Sequence, residues 1–84
     1  MKYEAHRFFC LKCGHENLPI YRKVGHQHKK YHRKKLYCPY CGTEVNHIEI
    51  RNDEEAYLFR KEFETGAYEE EALASIEYVK EKII

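Results

Sequence analysis

Four cysteines in two pairs, Cys10–Cys13 and Cys38–Cys41, constrain this chain more than any other feature. Each pair has two intervening residues and is followed directly by glycine, Gly14 or Gly42, and 24 residues separate the pairs. A chain of 84 residues buries only about 60–65 % of its unfolded surface, so small domains of this kind commonly recruit disulfides or a metal. Two disulfides require an oxidising compartment, whereas the opening MKYEAHRF carries no apolar leader core. No stretch approaches the roughly 20 apolar residues that cross a bilayer. A cytoplasmic location is expected, with no membrane partner and with reduced thiols.

Two-residue spacing is poor for structural disulfides and well suited to shared ligation. The sequence predicts one structural Zn2+ held by Cys10, Cys13, Cys38 and Cys41. Such an ion adds roughly 10–16 kcal/mol of apparent folding energy in small zinc-binding peptides. A glycine after each second cysteine supplies the positive φ that the turn requires, and Pro39 pre-sets the second turn. With thiolates at all four corners, no position is open for water or substrate, so a hydrolytic zinc is excluded. His15 and His47 lie near the cysteines in sequence. They are expected at the surface or behind the ligands.

Along the chain, YEAHRFF (3–9), IYRKV (20–24), LYC (36–38) and EVNHIEI (44–50) read as strands. They form two hairpin-like arms that feed cysteines to one point. The pattern changes at Asn52, an N-cap followed by Asp53, Glu54 and Glu55 in a first helical turn, with Glu55 at capping-box spacing. Ala56, Phe59 and Phe63 share one helical face with Leu58 beside it, and Gly66 marks the stop. A second helix begins near Glu69. Tyr57, Phe59 and Phe63 in the first helix, and Leu73, Ile76 and Val79 in the second, are the expected core. A single domain over 1–84 is expected, comprising a basic ribbon (1–51) and an acidic helical extension (52–84).

Charge divides at the same point. Residues 1–51 carry 11 Lys/Arg against 4 Asp/Glu, and residues 52–84 carry 4 against 10. All six histidines lie in the first part. The stretch 21–37 contains no acid but holds Arg22, Lys23, Lys29, Lys30, Arg33, Lys34 and Lys35, with Tyr21, Tyr31 and Tyr37 interleaved. Cations that neutralise phosphates beside rings that stack on bases are the composition of single-strand and RNA binders. The expected contact residues for nucleic acid or a partner are Arg22, Lys23, Lys29, Lys30, Tyr31, Arg33, Lys34 and Lys35. The competing reading is a solvated loop whose cations offset the formal −2 charge of a tetrathiolate zinc. His26, His28 and His32 are read as solvated. The acidic helical face would repel nucleic acid and meet a basic protein surface or a second copy instead, making a homodimer through the helices one option.

The knuckles FFCLKCGH and LYCPYCGT resemble the zinc-ribbon group over residues 8–50. That resemblance implies an α+β chain, a small ribbon of short antiparallel strands around a four-Cys zinc site followed by one or two C-terminal helices. The pairs also resemble rubredoxin, an iron electron carrier, but the aromatic–Asp–Pro segment that follows the first knuckle there is missing. Asn46–His47–Ile48 resembles the histidine of HNH nucleases without the downstream Asn and His. No pattern supports general acid–base or nucleophilic catalysis, so no enzyme is expected. As a whole the chain looks like the small zinc-ribbon proteins of phages and mobile elements of Gram-positive bacteria. That resemblance implies binding to a host or defence nucleoprotein, an anti-CRISPR blocking a CRISPR effector nuclease being one form. Three functions follow as expectations: a zinc-stabilised, non-enzymatic binder of nucleic acid or a nucleoprotein complex through loop 21–37; a phage-encoded inhibitor acting by protein–protein binding; and a rubredoxin-like iron electron carrier.

Overall fold

Alternation of small and aromatic residues on one side of YEAHRFFC, against polar and buried residues on the other, sets up a strand with two different faces. In the computed structural model, which describes residues 2–24 and 30–83 (side chains through 76), this strand is β1, Tyr3–Cys10. It is followed by β2 (Ile20–Lys23), β3 (Arg33–Cys38) and β4 (Thr43–Ile50). Two helices complete the chain, α1 (Asp53–Glu64) and α2 (Glu69–Ile83). The strands form one antiparallel sheet in the order β2-β1-β4-β3. Two hairpins, β1–β2 and β3–β4, are therefore joined side by side through β1 and β4, with Phe9 opposite Ile48 and Cys10 opposite His47. The expected α+β class, antiparallel strands with two C-terminal helices around a four-cysteine cluster, is what the fold shows.

Side chains alternate across a strand, so Tyr3, Ala5, Arg7 and Phe9 of β1 share the sheet face with Ile48 and Ile50 of β4. The helices cover the cysteine-proximal part of this face. Phe9 meets Phe59 of α1 with ring centroids 5.3 Å apart, and Phe59 in turn meets Phe63 at 5.6 Å and Tyr68 at 5.4 Å. Tilted aromatic pairs at such distances add about 0.5–1.5 kcal/mol each beyond their buried area. Ala72 and Ile76 carry α2 onto the same core, and Ser75 Oγ accepts the Asn46 backbone N–H at 3.2 Å.

The expected core needs two corrections. Tyr57 is 59 % exposed and Leu73 50 % exposed, while Tyr68 and Ala72 are buried in their place. Helical spacing left two faces open, and the sheet selected the one carrying Phe59. Val79 lies among residues whose side chains are outside the described set. Asn52 caps α1 as expected, its Oδ1 accepting the Glu55 N–H at 2.9 Å. Glu55 reaches one residue further back than a standard capping box, accepting the Arg51 N–H at 2.9 Å.

The opposite sheet face carries buried ionisable groups. Glu49, 3 % exposed, is hydrogen-bonded to His6, accepts from the Arg22 guanidinium at 3.4 Å on each oxygen, and lies 3.3 Å from His32 Nδ1. Burial alone would raise its pKa, but donors from His6 and Arg22 outweigh that and hold the carboxylate below its ordinary range.

Candidate metal centre

Cys10 ends β1 and Cys38 ends β3, two strands that flank β4 and run antiparallel to it, so one cysteine from each hairpin reaches the same end of the sheet. Each chain then doubles back in an equivalent turn. The Gly14 N–H donates to the Cys10 carbonyl at 2.9 Å, and the Gly42 N–H to the Cys38 carbonyl at 2.8 Å. Both glycines are left-handed, at φ +77° and +71°. The turns return Cys13 and Cys41 toward the strand-end cysteines.

The four sulfurs lie within 4.8 Å of one another. Cys10 Sγ is 3.7 Å from Cys41 Sγ, and Cys13 Sγ is 3.6 Å from Cys38 Sγ. A disulfide would place sulfurs near 2.05 Å, and all four cysteines are free. A tetrahedron with metal–sulfur bonds of about 2.3 Å has sulfur–sulfur edges of about 3.8 Å. These two separations match those edges and the rest lie within 4.8 Å, so the four cysteines are positioned to hold one metal ion. Among the described residues this is the single group of metal-ligand side chains so clustered.

Local electrostatics divide the thiols. Burial pushes the Cys13 thiol up to about 11, with sulfur neighbours Cys10 and Cys38 adding to the shift. Burial raises Cys41 as well. Cys38 moves the other way: burial opposes ionisation there, but backbone donors from Cys41 and Tyr40 and the neighbouring thiols prevail. The Lys12 N–H points at Cys10 Sγ from 3.4 Å. A bound metal dication would hold all four as thiolates.

Contacts between the knuckles were not legible in the cysteine spacing. Asn17 Nδ2 donates to the Tyr37 carbonyl at 2.7 Å and lies 3.3 Å from His47 Nε2. His47 Nδ1 faces the Val45 carbonyl at 2.8 Å. This pattern assigns the Nδ1–H tautomer, with Nε2 accepting from Asn17. Burial lowers the His47 pKa, so the ring is neutral. Of the two expected positions, at the surface or behind the ligands, His47 takes the inner one: it is fully buried and stands opposite Cys10. His15 is exposed and its ring stacks on Tyr40 across the two knuckles, with centroids 4.0 Å apart. Helix α1 sits on the first knuckle only. A Cβ on Gly14 would fall 2.8 Å from Phe63 Cε2, whereas one on Gly42 would meet nothing within 4 Å.

The expected binding segment is not one exposed loop. Arg22 is tied to Glu49, and Arg33 Nε donates to Glu71 at 2.7 Å while its guanidinium lies over the Tyr68 ring. Tyr31 is half-buried at φ 56° and packs against the core. Burial, then the carboxylates of Glu55, Glu62 and Glu54, raise its pKa. Lys23, Lys30 and Lys34 are exposed, and Lys35 is half-buried. His26, His28 and Lys29 lie outside the described residues. His32, expected to be solvated, keeps 37 % of its side chain exposed while its Nδ1 approaches Glu49. Residues 33–35 belong to the edge strand β3, where lysines also discourage pairing with a foreign strand.

The fold and cluster define a class, a small four-stranded sheet with two helices and four thiols positioned to hold a metal ion. No protein-family model matches the sequence, and no curated protein or solved structure is significantly similar to it.

Proposed function

We propose that this protein is a zinc-stabilised, non-enzymatic binding module that engages nucleic acid or a nucleoprotein complex. The sulfur cluster is the observation that carries the reading: four thiolates fill a tetrahedral cage, the usual arrangement of structural zinc and one that leaves no coordination position for a reactant. Cys10, Cys13, Cys38 and Cys41 would hold the ion, which supplies folding energy rather than chemistry. The zinc-ribbon resemblance and the surface cations, Lys23, Lys30 and Lys34 among them, support binding to polyanions over catalysis.

Metal analysis of purified protein, with binding of short oligonucleotides followed over a salt series, tests both halves. One zinc per colourless chain, and affinity that falls steeply with salt, are the expected results. Red protein with visible absorbance would assign the cage to iron and electron transfer. Zinc-loaded protein that ignores nucleic acid near physiological salt would refute the binding half.

A further inference from the structure

The helices stop short of the far end of the sheet and leave part of one face open. Tyr3 and Ala5 of β1 share this face with Tyr21 and Lys23 of β2, because Tyr3 stands opposite Lys23 and Ala5 opposite Tyr21. All four are exposed, the tyrosines by 61 % and 68 %. Moving along β1 on the same face leads through Arg7 to Phe9. There a cleft of about 350 Å³ opens between β1 and α1. Its floor is Phe9, Ala56 and Tyr57, and its helix wall carries Arg60 and Lys61, with Glu64 beyond them. The Lys61 ammonium lies 4.9 Å over the Tyr57 ring.

We propose that this open face and the cleft form one track for single-stranded nucleic acid, with Tyr3 and Tyr21 stacking on bases and Lys23, Arg60 and Lys61 meeting phosphates. The proposal rests on the nucleic-acid reading above; it keeps Tyr21 and Lys23 of segment 21–37 and replaces the rest of that segment with β1 and α1. Three features favour this occupant. Diagonal cross-strand neighbours such as Tyr3 and Tyr21 lie about 7–8 Å apart, roughly twice the 3.4 Å rise per base of a stacked strand. A chain that uses both rings must open its own stack, which a duplex resists. Ala5 between the rings leaves room for a flat base. Cations occur at both ends of the track, while the middle carries no net positive charge: Arg7 donates twice to Glu16 at 3.0 Å and lies 3.7 Å from Asp53. Charge at the ends with apolar and aromatic surface between them fits a backbone held along a groove with its bases turned inward.

Fluorescence anisotropy with labelled oligo-dT, oligo-U and a duplex of equal length, near physiological salt, tests this on the zinc-loaded chain. Tyr3→Ala and Tyr21→Ala are each expected to weaken single-strand binding about tenfold or more. Tyr3→Phe and Tyr21→Phe keep the stacking face and retain the affinity. Both tyrosines are exposed, and an unchanged melting temperature verifies that the alanine variants fold. Arg60→Ala with Lys61→Ala weakens binding and flattens its salt dependence. Wild-type binding that ignores the tyrosine changes but is lost on Lys30→Ala, Lys34→Ala and Lys35→Ala overturns the track and leaves the nucleic-acid reading standing. Equal affinity for duplex overturns the single-strand preference. No binding to any probe overturns both readings together.

Discussion

Replacing each knuckle glycine by alanine separates two costs that the near-symmetry of the turns would otherwise hide. Both glycines are left-handed, which costs an L-residue about 1–2 kcal/mol. At Gly42 that is the whole cost, since the new methyl meets nothing within 4 Å. At Gly14 the methyl would meet three atoms of the Phe63 ring, at 2.8, 3.0 and 3.3 Å. That ring is held against Phe59 and cannot simply swing away, so overpacking of about 1–3 kcal/mol is added. In a domain this small each kcal/mol moves the melting temperature by roughly 4–8 °C. Gly42→Ala should therefore lower Tm by roughly 5–15 °C, and Gly14→Ala by roughly 10 °C more. Thermal unfolding followed by circular dichroism, at one fixed free-zinc concentration because bound metal itself adds stability, measures both. In a Phe63→Ala background the Gly14→Ala cost should fall to that of Gly42→Ala, a coupling that reports the contact directly. Equal losses for the two single variants, or no coupling to Phe63, would refute the placement of α1 over the first knuckle.

Stripping the metal with a chelator should abolish cooperative unfolding and expose four thiols to a thiol reagent, because the ion's contribution rivals the whole stability of a small domain; a chelated chain with native circular dichroism would contradict the cage as a structural element. Burial raises the Cys13 and Cys41 thiols, so each is protonated at neutral pH without metal and zinc must displace the proton; zinc affinity should therefore rise with pH, and competition titrations showing no slope would count against the ligand set. Glu49 is held below its ordinary pKa, so its contribution is present above the normal carboxylate range and is lost as pH falls through the lowered value. Urea midpoints should drop with acid in that window, and Glu49→Gln should lower the unfolding free energy at neutral pH by about 1–3 kcal/mol while removing part of the pH slope. The Arg33–Glu71 pair is about one-third exposed on each side, so a double-mutant cycle should return no more than about 1 kcal/mol.

What the sequence revealed and what it concealed separate by range. Asn52, the acidic turn after it, and the glycine-ended CxxC pairs act on neighbours a few residues away, and all were readable. The partners of Arg22 and Arg33 stand 27 and 38 residues along the chain. No local pattern distinguishes such internal ties from free cations, and both arginines consequently entered the expected binding set. Glu49 sits in a strand with no local signal for its burial, which Arg22, His6 and His32 make tolerable from elsewhere in the chain. Tyr57 and Tyr68 are chemically alike. Which one enters the core depends on how α1 turns against Phe9, a packing outcome set by the sheet. The tyrosines of the open face lie on β1 and β2, and only the strand register makes Tyr3 a neighbour of Tyr21.

Close sulfur contacts join different knuckles: Cys10 with Cys41 across 31 residues, and Cys13 with Cys38 across 25. That cross-pairing bears on the order of assembly. Each hairpin forms from local contacts in microseconds, but joining β1 to β4 closes a long loop whose entropic cost comes first. A single knuckle offers an ion two thiolates and a readily exchanged grip. The full cage exists only after the central strands have met. Metal capture would therefore be a late, committing event in folding: on a growing chain, the first knuckle would have to wait for residue 41 before its hold became permanent.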